Sequence, residues 1–148
     1  MKTSKNNISV IKIGGSTLGE NDSTFEDIEK LYKKGWNIVL VHGGGREISN
    51  WLNKQGVEPE FVDGLRRTDK RTLDVVISVL SGKINSEIVI ELQNLNIKAV
   101  GISGSSGLIS AKQLSKKLGF VGEIVSCNSE LLFSLFEKGF LPVVSPLA

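Results

Sequence analysis

Residues 37–56 read NIVLVHGGGREISNWLNKQG, and the fold prediction starts from this stretch. Asn37 to His42 is rich in β-branched residues, which is typical of a buried strand, and three glycines stop the run. The segment from Arg46 to Gln55 then places its apolar residues on one helical face, and Gly56 ends the helix. The stretch therefore predicts a strand, a glycine turn and a helix in direct succession.

The alternation of strands and helices continues on both sides of this stretch. Further strands are predicted over Ile8–Ile13, Lys98–Ile102 and Phe140–Val144, a hairpin over Leu108–Ala111 and Phe120–Val125, and further helices over 23–34, 68–94 and 129–138. In the longest of these helices, Thr68 is the expected N-cap, and Gly82 costs ~1 kcal/mol relative to alanine. Strands separated by helices favour an α/β three-layer sandwich with a mostly parallel central sheet.

Length and composition exclude several classes of protein. The 148 residues correspond to about one domain, and 40% hydrophobic residues with 18 Lys+Arg against 16 Asp+Glu do not fit a disordered chain. One Cys and one His cannot build a disulfide framework or a structural zinc site. Because the apolar runs are far shorter than a membrane span and no signal peptide is recognisable, we expect a cytoplasmic protein without membrane association.

The glycines after the strands indicate an anion site. Ligands of open α/β sheets bind at the carboxyl ends of the strands, and three predicted strands run into glycine clusters. At Gly43 to Gly45 the backbone N–H groups lie next to a helix N-terminus, which favours a phosphate or a carboxylate. An ordinary tight turn is the alternative. Neither a P-loop nor the Rossmann glycine pattern is present.

Lys12 lies inside the apolar run from Val10 to Ile13. A buried ammonium group needs a partner that neutralises it, so a buried strand predicts an anion near Lys12. The alternative is an edge strand on which Lys12 faces water.

Five ordered segments together resemble the signature of the N-acetylglutamate kinases, which are members of the amino-acid kinase family. The segments are Lys12-Ile13-Gly14-Gly15-Ser16, Val41-His42-Gly43-Gly44-Gly45, Gly64-Leu65-Arg66-Arg67-Thr68-Asp69, Ser81-Gly82-Lys83-Ile84-Asn85 and Val121-Gly122-Glu123-Ile124. The resemblance implies the amino-acid kinase fold, apparently truncated. Residues 1–148 would be the N-terminal, acyl-amino-acid-binding part of the kinase domain, and the nucleotide-binding C-terminal part would be absent.

The activity implied by the resemblance is transfer of the γ-phosphoryl group of ATP to the side-chain carboxylate of N-acetyl-L-glutamate, in arginine biosynthesis. By the resemblance, Lys12 would stabilise the transferring phosphoryl group and, together with Gly14 and Gly15, bind the nucleotide phosphates. Gly44 and Gly45 would bind the acyl substrate, and Arg66 would bind the substrate α-carboxylate. The implied Mg²⁺ comes with the nucleotide, without a protein ligand. We expect the fragment alone to be inactive, and the resemblance also implies a homodimer or a higher homo-oligomer.

Several alternatives stay open on the sequence. Arg67 stands where the family usually has an apolar residue, and the loop Gly104-Ser105-Ser106-Gly107 lacks the acidic residue that is common there. The acceptor could therefore be another acylated amino acid, such as carrier-bound aminoadipate. A binding or regulatory module that keeps the fold without turnover is the other reading. The basic clusters have few interleaved aromatic residues and indicate solvated surface rather than a nucleic-acid interface. His42 and Cys127 are expected to be structural rather than catalytic residues.

Overall fold

Eight strands, five α-helices and one π-helical segment make up the part of the chain that the structure, a computed structural model, describes, which is residues 7–14 and 23–148. In chain order the elements are β1 (Ile8–Ile13), α1 (Thr24–Lys33), β2 (Asn37–His42), α2 (Gly45–Lys54), β3 (Phe61–Val62), β4 (Leu65–Arg66), α3 (Lys70–Ile77), the π-helical segment (Ser78–Ile84), α4 (Asn85–Asn94), β5 (Ala99–Ser103), β6 (Ile109–Gln113), β7 (Gly122–Cys127), α5 (Ser129–Glu137) and β8 (Leu141–Ser145).

Four of the strands form a parallel sheet in the order β1-β2-β8-β5. The last strand of the chain is inserted between β2 and β5, where Val143 lies opposite Leu40 on one side and Gly101 on the other. All five residues of β8 are buried, as expected of an apolar central strand. The predicted parallel sheet is therefore confirmed.

The two faces of the sheet bury different side chains of the same strands, because successive residues of a strand point to opposite faces. Ile38 and Leu40 of β2 pack in the main core with side chains of α1 to α4. Val39, between them, packs with Val144 in a smaller core that Leu131 and other α5 residues partly cover. Helices thus lie on both faces, as the predicted three-layer sandwich requires.

β1 differs from the buried strand that its sequence indicates. It is an edge strand of the four-stranded sheet, Val10 is 67% exposed, and Lys12 faces solvent. Ile13 alone of its six residues is buried. The alternative interpretation, Lys12 facing water, is thus the observed one, and the anion predicted to neutralise a buried Lys12 is not required. Lysine is common on edge strands because it discourages pairing with another chain.

The predicted helix over 68–94 is interrupted and begins one residue later than expected. Asp69, not Thr68, is the N-cap, since its Oδ1 accepts a hydrogen bond from the Thr72 N–H at 2.8 Å. This bond holds the pKa of the Asp69 carboxyl below its ordinary value. The middle of the helix is π-helical, and such segments occur frequently at functional sites. Gly82 lies in it, and apart from its chain neighbours and the backbone of its own helix no described residue lies within 4 Å of a Cβ added there, so close packing does not explain this glycine.

The predicted hairpin at 108–125 is confirmed as the antiparallel pair β6–β7. Its connecting loop returns to the start of α3, where the Thr68 N–H bonds the Leu118 oxygen at 2.8 Å and the Phe120 N–H bonds the Thr68 oxygen at 2.7 Å. Within the described ranges, no helix is long and apolar enough to cross a membrane.

Gly119, between these two hydrogen bonds, gives a stability prediction. It has a φ of +71°, and a Cβ there would clash with the Thr68 carbonyl group. We expect Gly119→Ala to lower the free energy of unfolding by about 2 kcal/mol, the sum of left-handed strain and this clash. Urea unfolding followed by circular dichroism measures it.

Gly139→Ala is the matched control, because Gly139 has a φ of +74° but no described residue other than its chain neighbours lies within 4 Å of the added Cβ. It carries the conformational strain without the clash and should cost about 1 kcal/mol. Equal losses in the two variants would contradict the packing role of Gly119.

Candidate functional site

The glycine turn after β2 leads directly into the N-terminus of α2. The Gly43 N–H bonds the Ile13 oxygen at 3.0 Å, which ties the turn to the carboxyl end of β1. The first intrahelical bond of α2 runs from the Ile48 N–H to the Gly44 oxygen at 2.9 Å, and none of the described side chains caps the helix. The N–H groups of residues 45–47 therefore have no acceptor within the helix, and their partial positive charge favours an anion.

Arg66 is held at this same helix turn. Its Nη2 donates to the Gly45 oxygen at 2.9 Å and to Ser49 Oγ at 2.8 Å. The guanidinium group stacks on the Phe61 ring, with 4.7 Å from Cζ to the ring centroid. Its Nη1 is buried and has no hydrogen-bond partner among the described residues. Burial lowers the pKa of Arg66, but a guanidinium group stays protonated at neutral pH.

A buried donor without an acceptor is costly, so Arg66 Nη1 indicates that an acceptor belongs at this place. The acceptor best suited to a planar guanidinium fork is a carboxylate or a phosphate. Both the orphaned Nη1 and the first turn of α2 favour the same kind of ligand, an anion.

The β3–β4 hairpin that carries Arg66 was not predicted from the sequence. Its two-residue turn is Asp63-Gly64, with φ values of 50° and 80°, which is typical of a type I′ hairpin turn. The signal that could have found it is this Asp-Gly pair between Phe61-Val62 and Leu65-Arg66. Phe61 and Arg66 are paired across the two strands of the hairpin, which places the phenyl ring beside the guanidinium group.

His42 and Asn85 form a buried polar pair beneath the glycine turn. His42 is 1% exposed, its Nδ1 lies 3.1 Å from the Gly43 oxygen, and its Nε2 lies 3.1 Å from Asn85 Nδ2. Asn85 Nδ2 also donates to the Val143 oxygen at 2.9 Å. The pair thus connects the carboxyl end of β2, the start of α4 and the central strand.

The π-helical segment packs against both the turn and the end of β8. A Cβ at Gly44 would clash with the side chains of Leu80 and Ile84, so this backbone lies directly on the segment. Ser81 Oγ is hydrogen-bonded to Ser145 Oγ at 2.9 Å. The segment Ser81 to Asn85, singled out by the resemblance, therefore belongs to the part of the helix that packs against the glycine turn.

The burial of His42 gives a pH prediction. Burial lowers the pKa of its imidazole, against the opposing effect of the Gly43 carbonyl. Above the ordinary pKa of ~6.5, the imidazole is neutral in the folded and the unfolded state alike. As the pH falls below that value, the unfolded state binds the proton first, so the free energy of unfolding decreases, by at most about 1.4 kcal/mol per pH unit.

Urea unfolding between pH 7 and pH 5 measures this slope, and His42→Asn is the control, since His42 is the one histidine of the sequence. The slope should be smaller in the variant. Asp69 affects the free energy of unfolding at a lower pH. Because its pKa is lowered in the folded state, the stability that it contributes is lost as the pH falls below ~3.8. A slope unchanged by His42→Asn would contradict the assignment to this imidazole.

Lys12 and Gly14 lie at the same edge of the sheet as the turn. In the β1–β2 register Lys12 is opposite Val41 and Ile13 is opposite His42, so Gly14 follows at the level of Gly43. Residue by residue, burial alternates along β1, which places the Lys12 side chain on the face opposite to Ile13. Gly15 lies outside the described residues.

The structure therefore brings three of the predicted site residues together, namely Gly44, Gly45 and Arg66. Lys12 and Gly14 share the carboxyl edge with them, but no hydrogen bond within residues 7–14 and 23–148 joins Lys12 to Arg66 or Gly45. Residues 7–14 and 23–148 contain no group of three or more His, Cys, Asp or Glu side chains that could hold a metal ion.

Comparison with solved structures identifies the same fold. A Streptococcus mutans protein, smu.665, superposes with a TM-score of 0.85 at 24% identity, over 93% of this chain and 58% of that chain. An N-acetylglutamate synthase from Neisseria gonorrhoeae superposes with a TM-score of 0.79 at 21% identity, over 95% of this chain and 33% of that chain.

Sequence comparison finds curated relatives named acetylglutamate kinase. The protein from Methanocaldococcus jannaschii is 47% identical over 95% of this chain and 52% of its own length. The protein from Dehalococcoides mccartyi is 42% identical over 100% of this chain and 55% of its own length. The chain thus spans about half the length of the curated relatives it matches. The profile described as "Amino acid kinase family" matches residues 7–148, and the chain belongs to this family.

Proposed function

We propose that this chain is the acyl-amino-acid-binding part of a kinase that transfers the γ-phosphoryl group of ATP to the side-chain carboxylate of N-acetyl-L-glutamate. The observation that carries the proposal is Arg66, fixed at the first turn of α2 with a buried Nη1 that has no hydrogen-bond partner among the described residues. Such a donor suits the α-carboxylate of an amino acid. Relatives named acetylglutamate kinase at 42% to 47% identity support the choice of substrate.

The other residues have the chemistry that this reaction needs. A glutamate-type carboxylate, with a reference pKa of ~4.3, is ionised at neutral pH and needs no general base. Its oxygen forms a bond to the γ-phosphorus while the bond to the β-phosphate oxygen breaks, so an acyl phosphate and ADP result without a proton transfer. Positioning and charge stabilisation are the remaining tasks in phosphoryl transfer.

In this proposal each site residue has one task. Gly44 and Gly45 bind the acyl substrate near the attacking carboxylate, at the first turn of α2, where N–H groups without an intrahelical acceptor favour an anion. Lys12, exposed at the carboxyl end of β1, stabilises the transferring phosphoryl group. Gly14 and Gly15 line the nucleotide phosphates, and Mg²⁺ arrives with ATP.

The setting of the reaction is also part of the proposal. The product would serve arginine biosynthesis in the cytoplasm, where ATP is abundant. The chain would act as a homodimer or higher homo-oligomer, and Ile77 and Ile90, 44% and 54% exposed, are apolar residues of the 68–94 helical stretch that could serve such an interface.

Calorimetric titration of the 148-residue chain tests the proposal. We expect N-acetyl-L-glutamate to bind, and N-acetyl-L-isoglutamine, which has an amide in place of the α-carboxylate, to bind more weakly by about a hundredfold. An ATP analogue is titrated separately. Equal affinity for the two acyl compounds would contradict the role of Arg66, and absence of binding by N-acetyl-L-glutamate would contradict the substrate.

A further inference from the structure

We propose that His42 and Asn85 are positioning residues that orient the Gly43–Gly44 peptide, so that the Gly44 N–H points toward the anion held at the start of α2. This inference rests on the proposed function for the identity of the anion, and it deepens the role of Gly44. Both side chains are buried, at 1% and 5% exposure, so they act through the backbone of the turn rather than by touching a ligand.

The hydrogen bonds of this pair have a fixed direction. The Val143 oxygen can only accept, so the Asn85 atom 2.9 Å from it is the amide nitrogen, which only donates. The same nitrogen lies 3.1 Å from His42 Nε2, so Nε2 accepts and carries no proton. A neutral imidazole then carries its proton on Nδ1, which donates to the Gly43 oxygen at 3.1 Å.

The bond to the Gly43 oxygen determines where the next N–H points. In a trans peptide the carbonyl oxygen and the N–H lie on opposite sides of the C–N bond. Because Nδ1 holds the Gly43 oxygen on the core side, the Gly44 N–H points away from the imidazole. A flipped peptide would set this N–H against the Nδ1–H and leave a buried donor without an acceptor, which is unfavourable.

Asn85 is itself fixed by the sheet. Its amide is bonded to the central strand through Val143, and a Cβ at Gly101 on the neighbouring strand would clash with its Oδ1. Gly101 therefore leaves the space that Asn85 occupies. Two strands of the sheet therefore fix Asn85, Asn85 fixes the His42 ring, and His42 fixes the Gly43–Gly44 peptide. The orientation of the turn does not depend on the turn residues alone.

Two matched variants separate the proton donor at Nδ1 from the rest of the imidazole. In His42→Asn, the shorter side chain places an amide nitrogen near the position of Nδ1, where it donates to the Gly43 oxygen. In His42→Gln, the longer side chain places its amide near Nε2, keeps a partner for Asn85 and loses the donation to Gly43. Both replace a buried imidazole by a primary amide, so they disturb the core to a similar extent.

The readouts are the Gly44 amide resonance in ¹H–¹⁵N NMR spectra and the dissociation constant of N-acetyl-L-glutamate. We expect His42→Asn to keep both close to the wild-type values. His42→Gln should shift the Gly44 resonance and weaken binding by about tenfold, which corresponds to about 1.4 kcal/mol. Equal effects in the two variants would show a merely structural role and overturn the inference.

A spectroscopic measurement on the ligand-free wild-type chain decides the case if both variants unfold. Long-range ¹H–¹⁵N NMR distinguishes the two neutral tautomers of His42. The Nδ1–H tautomer supports the inference, and the Nε2–H tautomer overturns it. If the wild-type chain has the Nδ1–H tautomer and binds no N-acetyl-L-glutamate, the proposed function is contradicted while the orientation of the peptide stands.

Discussion

Arg66→Gln is expected to weaken the binding of N-acetyl-L-glutamate to this chain by about a hundredfold. The substitution removes a guanidinium group whose buried Nη1 has no partner in residues 7–14 and 23–148, and hydrogen bonds to charged groups contribute about 1.5–3 kcal/mol each. A bidentate contact with a carboxylate would use this nitrogen, which glutamine cannot replace. Isothermal titration calorimetry of the two chains measures the difference.

A double-mutant cycle shows whether the lost affinity belongs to the α-carboxylate. N-acetyl-L-isoglutamine lacks this carboxylate, so its affinity should be nearly the same for the wild-type chain and for Arg66→Gln. If Arg66→Gln weakens both compounds equally, Arg66 does not bind the α-carboxylate.

Ser49→Ala serves as the structural control for Arg66. Ser49 accepts a hydrogen bond from Nη2 at 2.8 Å, so its removal loosens the guanidinium group but leaves Nη1 available. We expect a loss of affinity of about threefold, well below that of Arg66→Gln. The Phe61 stack and the Gly45 bond continue to hold the arginine in this variant.

The extents of the main strands could be predicted because they depend on local sequence. The apolar runs at 8–13 and 37–42 are short, rich in β-branched residues and stopped by glycines, and β1 and β2 have these bounds. The position of β1 at the edge could not be predicted in the same way. Lys12 left an edge strand open as an alternative, but which strand lies next to which depends on pairing between distant segments.

The site shows the same division between local and distant information. The glycine turn before α2 was predicted, because a glycine run between a strand and an amphipathic helix is a local pattern. The partners of Arg66 lie 21 and 17 residues earlier in the chain, at Gly45 and Ser49, and no periodicity links these positions. The resemblance to a family singled out Arg66, whereas its unpartnered Nη1 became visible only in the fold.

The π-helical segment was missed for a different reason. Apolar residues spaced for one face of an α-helix run through it, so the pattern from Leu73 to Ile88 predicts one continuous helix. In the π-helical segment the backbone hydrogen bonds run from i to i+5 instead of i to i+4. This change shifts the apolar spacing by only one residue, so the pattern still fits a continuous α-helix. Gly82 is the one local signal, and open space around it does not by itself distinguish a π-helix from a kink.

Lys12→Ala is expected to lower kcat by about 10²–10³ in a kinase that contains this segment together with the second half present in its relatives. This is the scale of removing one donor that stabilises charge in a transition state. Since the negative charge of the phosphoryl group is spread over its equatorial oxygens during transfer, an ammonium group acts mainly on the chemical step. The KM for N-acetyl-L-glutamate should therefore change little.

Because Lys12 is exposed, an effect of its removal on kcat can be separated from an effect on stability. Lys12 faces solvent on an edge strand and takes part in none of the ion pairs of the described residues, so its removal should leave the thermal unfolding temperature unchanged. Lys98→Ala is the matched control, because this exposed lysine lies just before β5, at the opposite edge of the same sheet. Its kcat should equal that of the parent enzyme. A Lys12→Ala enzyme with near-normal kcat would mean that this lysine only protects the edge of the sheet, and the phosphoryl group would then have to be stabilised by the second half of the kinase.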